Sequence, residues 1–164
     1  MFVKKLEFVF ITVIILALTL LSFNAYKDYS FKHDAIPQSF KQRITEKEKD
    51  VLLHMRENFG FVFQVPLIVT DKFTSRLYGL TSYQNGDIKI YLNKKVMRES
   101  MDYMIDSVIA HEYAHALLFR LNRHTVKADG HSDEWKQTCI KLGGVDCRKY
   151  VNQHEVIMAK MPFQ

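Results

Sequence analysis

Residues 8–26, FVFITVIILALTLLSFNAY, carry no charged side chain. As a helix they span about 28 Å, close to the hydrocarbon thickness of a bilayer. Lys4 and Lys5 precede the run, and Lys27, Asp28 and Lys32 follow it. A buried core helix would show a polar face, but Thr12, Thr19, Ser22 and Asn24 make no continuous stripe. A cleaved signal peptide is the competing reading. Its basic start and apolar middle fit, but Phe23 stands where a small residue is wanted for cleavage after Ala25. The preferred reading is one transmembrane helix, with residues 1–26 as a membrane anchor. Lys4, Lys5 and the terminal amine favour a cytoplasmic N-terminus and a domain on the outer, periplasmic or extracellular side. Lys27, Lys32, Lys41 and Arg43 count against that orientation.

Of 164 residues, about 138 remain after the anchor, enough for one hydrophobic core and not two. Two cysteines exclude a disulfide-rich scaffold and a four-cysteine zinc ribbon. The net charge is +5, of which the first 26 residues hold +1. That density is far below that of a nucleic-acid-binding arm, so nucleic acid is a possible but unsupported partner.

Residues 27–43 are polar and aromatic and read as a linker, leaving 44–164 as the domain. Thr45 precedes Glu48 by three, a capping box that starts a helix ending near Gly60. Residues 61–70, FVFQVPLIVT, read as a strand that Pro66 confines to an edge or a bulge. Two further strand-like runs flank Asn85-Gly86, the signature of a tight hairpin. From Asp102 to Leu121 apolar residues recur at helical spacing. A polar loop spans 122–131. Ser132 then caps a helix that Gly143-Gly144 ends, and a last short helix is expected within 148–160. The order predicts an α+β domain with helices packed on one side of a small sheet.

Residues 111–115 read His-Glu-Tyr-Ala-His within the best-defined helix of that domain. Histidines at i and i+4 share one face, so both imidazoles can reach one ion at about 2 Å. Glu112 cannot bind equally well from that face but can reach a water on the metal, the arrangement of a zinc site with a glutamate general base. A catalytic zinc wants a third protein ligand. The candidates that follow are His124, Asp129, His131, Asp133 and Glu134. The metzincin spacing is excluded by Leu118 and Leu121. His131 is favoured over Glu134, because histidine is the better neutral ligand and Glu134 would add a second negative charge beside Glu112.

HEYAHALLF followed by GHSDEWKQTCIKLGG resembles the SprT-like metallopeptidase domain, the group that includes Spartan and bacterial SprT. YGLTSYQNGDIKIYLN is similar to that family's strand pair. The resemblance covers about residues 45–147. It implies a minimal zincin-like fold, with the hairpin packed on the metal helix. It also implies zinc as the cofactor, His111, His115 and His131 as its ligands, Glu112 as the base, and hydrolysis of a protein or peptide substrate. Ser132 stands where the family carries glycine, and the anchor lies outside the family domain.

The leading expectation is therefore a membrane-anchored zinc metallopeptidase, with the strand at Ile88–Leu92 offered to an extended substrate. The alternatives are a cytoplasm-facing, DNA-associated protease of the same family, a non-catalytic zinc domain, and a hydrolase of non-protein amides. Asp106 and Asp129 are candidates to orient ligand histidines. His124, Arg148 and Tyr150 are candidates to stabilise an oxyanion. Cys139 and Cys147 either bridge across Gly143-Gly144 or stand as two small core thiols.

Overall fold

The structure is a computed structural model that describes residues 2–74, 76–123 and 130–148. The chain divides into two units, 1–36 and 37–164. The first unit is a single helix, α1 (Phe2–His33). Its segment Lys4–Phe31 is long and apolar enough to cross a membrane, and its apolar side chains are exposed. Thr12 and Thr19 each donate a hydroxyl hydrogen to the carbonyl four residues back, Phe8 O and Ile15 O, at 2.8 Å. Both hydroxyls are thereby satisfied within the helix.

The second unit is a mixed α+β domain. Its elements are α2 (Gln38–Phe59), β1 (Leu67–Thr70), β2 (Gly79–Gln84), β3 (Asp87–Asn93) and α3 (Lys94–Glu99). Then come α4 (Met101–Tyr103), a π-helical turn (Met104–Val108), α5 (Ile109–Arg120) and α6 (Asp133–Lys141). The sheet has the order β1-β3-β2, with β1 parallel and β2 antiparallel to β3.

Several expectations hold. Asn85 and Gly86 turn the β2–β3 hairpin with φ of 51° and 90°, the left-handed pair that a two-residue hairpin demands. Gly60 closes α2 in the left-handed conformation (φ 78°), and its N–H donates to Arg56 O. Ser132 caps α6 through its hydroxyl, which accepts from Trp135 N at 3.2 Å. The expected short helix within 148–160 lies outside the described residues beyond Arg148.

Other expectations are corrected. Thr45 does not start a helix. It lies inside α2 and donates to Lys41 O. The helix begins directly after Pro37, whose carbonyl accepts from Phe40 N and Lys41 N. Ile44 joins Val51 and Met55 on the buried face, so the amphipathic pattern reaches back into a stretch whose polar composition read as linker. Residues 27–33 are likewise helical, as the end of α1. The strand expected over 61–70 shrinks to Leu67–Thr70, because Pro66 has no N–H for the ladder. Its carbonyl still accepts from Ile90 N at 2.9 Å. Helix α3 was not anticipated. The long helix over 102–121 contains a π turn, where Ile109 N donates to Met104 O five residues back. Such turns commonly sit beside functional sites, and this one ends three residues before His111.

The core is built from one face of the sheet and the helices over it. Ile88, Ile90 and Leu92 of β3 point inward with Val51 and Met55 of α2, Tyr113 and Leu117 of α5, and Trp135 and Cys139 of α6. The buried hydroxyl of Tyr113 donates to Glu48 Oε1, tying α5 to α2. Asn93, fully buried at the end of β3, organises the turn before β2. Its Nδ2 donates to Thr74 O (2.7 Å) and Leu77 O (2.6 Å), and its Oδ1 caps α3 by accepting from Lys95 N. Replacing Asn93 by alanine leaves these groups unpaired, and should cost about 2–3 kcal/mol in the melting of the domain.

Candidate metal centre

Helix α5 presents His111 and His115 one turn apart, and the turn entering α6 brings His131 to meet them. His131 Nε2 lies 3.1 Å from His111 Nε2 and 3.2 Å from His115 Nε2. Ligand atoms about 2.0–2.1 Å from a tetrahedral ion stand about 3.3 Å apart. Both separations match that figure, and the three side chains, with ligand atoms all within 4.8 Å of one another, form a group able to hold a metal.

The electrostatics fit the same role. Burial, with the neighbouring imidazoles adding to it, pushes the pKa of both His111 and His115 down to about 3. Both rings are thus neutral at ordinary pH, the state in which imidazole binds a metal. Trp135 packs against all three, its ring centroid 4.6, 5.2 and 4.4 Å from those of His111, His115 and His131. Gly130 lets the chain pass close to His115, since a Cβ there would sit 3.2 Å from its Cε1.

Glu112 points into the seam between α5 and β2. It is 5% exposed. Thr81 Oγ1 lies 2.6 Å from its Oε2 and 2.9 Å from its backbone carbonyl, so one hydroxyl hydrogen serves both acceptors. Gly79, two residues earlier on the same face of β2, leaves the space that the carboxyl fills. A Cβ there would sit 2.7 Å from Oε1. Burial raises the Glu112 pKa to about 7, against the opposing pull of the Thr81 hydrogen bonds.

Beyond the ligands lies a polar cluster. Tyr103 OH donates to Asp146 Oδ2 at 3.2 Å, and Arg148 holds the same carboxylate through Nε and Nη2. Arg148 keeps the Asp146 carboxyl below its ordinary range, and the negative charge of Asp146 acts in turn on His111. A disulfide between Cys139 and Cys147, with Cα atoms 5.9 Å apart, closes the turn that carries Asp146. Of the two expectations for these cysteines, the bridged one is found. Gly144 is needed beneath it, because a Cβ there would meet the two sulfurs at 2.6 and 2.7 Å.

The structure brings His111, His115 and His131 together with Glu112 beside them. It does not bring Glu134, which pairs with Arg123 at the surface, and Asp133 is exposed in the first turn of α6. Asp106 is exposed too, and offers its carbonyl to Val145 N rather than its carboxylate to a histidine. Arg148 is engaged with Asp146. His124, Asp129 and Tyr150 lie outside the described residues. Gly79, Thr81 and Asp146 went unread, because only their neighbours in space, and nothing in local spacing, mark them. The strand Ile88–Leu92 is also corrected as the docking edge. It belongs to β3, which is paired on both sides, so among the described residues the open edges of the sheet belong to β1 and β2.

Residues 38–156 match the SprT-like family. Protein SprT of Shigella boydii serotype 18 is 30% identical over 116 residues. That alignment takes in 70% of this chain and 64% of the relative, so the chain spans just under two thirds of that protein's length.

The stability of the metal-free chain should carry the signature of the buried carboxyl. Its folded pKa of about 7 lies above the ordinary 4.5. Burial therefore costs little at pH 4, where both states are mostly protonated. The cost grows as pH rises from 4.5 to 7 and is full above that. Glu112→Gln should stabilise the EDTA-treated protein at pH 8 by about 1–3 kcal/mol, and by much less at pH 4. The fluorescence of Trp135, the only tryptophan in the chain, reports the melt.

Proposed function

The chain belongs to the SprT-like family, and from that premise we propose that it is a zinc-dependent metallopeptidase anchored in a membrane. One observation carries the reading. Three imidazoles converge at zinc-ligand spacing, and the residue beside the first of them carries a buried carboxyl. His111, His115 and His131 would hold the ion. A bound zinc supplies Lewis acidity at neutral pH, acidifying water and polarising a carbonyl. Glu112 accepts the proton of the attacking water and returns it to the leaving amine. Its pKa of about 7 suits both halves of that task. Thr81 and Gly79 keep the carboxyl in one place while it works. A purely structural zinc would leave this carboxyl, costly to bury, without a purpose.

The substrate is read as an extended peptide. Strand β2 is an edge of the sheet, it borders Glu112 through Gly79 and Thr81, and main-chain pairing along such an edge is a common way to hold a peptide. The geometry favours β2 for this role over the doubly paired β3.

Two features support an anchored domain outside the cytoplasm, the first bearing on the anchor and the second on the side. Helix α1 has the length and composition of a membrane span, with its threonine hydroxyls satisfied internally. The Cys139–Cys147 disulfide belongs to an oxidising compartment. The same disulfide disfavours a cytoplasmic, DNA-associated protease.

Purified full-length protein in detergent should carry one zinc per chain, and lose it on His131→Ala. It should cleave an unstructured protein such as casein, and Glu112→Gln should abolish cleavage while keeping the zinc. Absence of stoichiometric zinc, or an active Glu112→Gln, overturns the reading. The location is tested separately. Protein alkylated in intact cells before lysis should show no free thiol at 139 or 147, and a reporter fused after residue 164 should be active only outside the cytoplasm. Free thiols with a cytoplasmic reporter would reverse the orientation.

A further inference from the structure

We infer that the stacked aromatic pair Tyr83–Phe119 forms a specificity subsite. It would take an apolar or aromatic side chain of the substrate, on the amino-terminal side of the cleaved bond. The inference rests on the metallopeptidase reading and names the class of substrate for that site.

The two rings stack nearly parallel, 12° apart with centroids at 5.3 Å, and make an aromatic wall of which Tyr83 is the more exposed member. Tyr83 stands on the face of the sheet that packs on the helices, opposite the buried Ile88, yet 46% of it is exposed. A large aromatic on the core side of an edge strand is ordinarily covered. Here the wall extends from the reaction centre in two ways at once. Phe119 is one helical turn beyond His115 on α5. Tyr83 is two residues beyond Thr81 on β2, hence on the same face as the residue whose hydroxyl touches Glu112.

The proposed polarity is antiparallel to β2, and for that polarity the pairing rules fix which substrate residue meets the wall. A peptide adding antiparallel to β2 places each residue directly across from one of β2, with both side chains on the same face. The residue across from Thr81 lies beside the Glu112 carboxyl and flanks the bond to be cut. The residue across from Tyr83 is two positions nearer the peptide's amino end, and its side chain lies against Tyr83 and Phe119. Aromatic contact and apolar burial reward Phe or Leu there. A charged side chain would lose its hydration against the two rings.

The test uses zinc-loaded full-length protein in detergent and an unstructured peptide with one mapped cleavage site. Phe, Leu, Gly or Asp is placed in turn at each of the four positions before that site. The subsite predicts that one position responds, with Phe and Leu cleaved about tenfold better than Asp. Tyr83→Ser and Phe119→Ala should each reduce that preference to less than threefold while zinc content stays at one per chain. Tyr83→Phe should retain it. Binding of the same peptides to zinc-loaded Glu112→Gln, followed by Trp135 fluorescence, gives a readout that needs no turnover and should show the same order. If the wild type cleaves with no preference at any of these positions, or if Phe119→Ala keeps it, the subsite is overturned. If no peptide is cleaved but Glu112→Gln still prefers Phe over Asp through Tyr83 and Phe119, the subsite stands and the peptidase reading fails. If neither cleavage nor selective binding is seen, both fall.

Discussion

Three imidazoles, with His131 Nε2 3.1 and 3.2 Å from the other two ring nitrogens, do not gather unaided. Their lone pairs face a common point, and burial removes the water that would otherwise solvate them. Something else must hold the rings there. Trp135 does so by packing against all three, and it is placed by the Ser132 cap, which starts α6 at the correct residue. The far end of α6 is fastened by the Cys139–Cys147 bridge and by Val145 N, which donates to Asp106 O on the helix leading into α5. The turn that carries His131 is thus fixed at the start of α6, and the segment after α6 is tied to the helix that leads into α5.

The opposite flank of α5 is set by the sheet. Thr81 and Gly79 of β2 define where the Glu112 carboxyl can lie, one by a hydrogen bond and the other by the lack of a Cβ. Asn93, at the end of β3, holds the turn from which β2 departs. The hairpin therefore acts as a ruler laid along the metal helix. Its starting position comes from Asn93, and its side-chain alternation aims Gly79, Thr81 and Tyr83 at α5. The imidazole cluster is positioned by α5 and the turn entering α6, and the Glu112 carboxyl by the strand, so the two can be disturbed separately.

The parts legible in the linear chain were those with strong local rules. Asn85-Gly86 specified its turn because few other residues accept positive φ. Ser132 specified a cap, Gly60 a stop, and the i, i+4 histidines a shared helical face. Where a local rule met a stronger neighbour, it failed. Thr45 satisfied a capping box, but Pro37 and the burial of Ile44 start the helix earlier. Pro66 removed a ladder donor and shortened β1. The site was divided in the same way. His111, Glu112 and His115 were readable from spacing. His131 was one of several candidates until the fold brought it, and not Glu134, to the pair.

The amino-acid sequence by itself determined an uncharged span of membrane length, a hairpin, and a helix carrying two imidazoles and a carboxyl in the order that metal hydrolysis uses. These are properties of periodicity and backbone stereochemistry, which act over a few residues. Only the tertiary structure decided which third residue completes the imidazole cluster, which strand keeps a free edge, and which groups steady Glu112. It also decided that Cys139 and Cys147 meet. Each of those depends on distances between segments far apart in the chain, and such distances are fixed by core packing rather than by any local pattern.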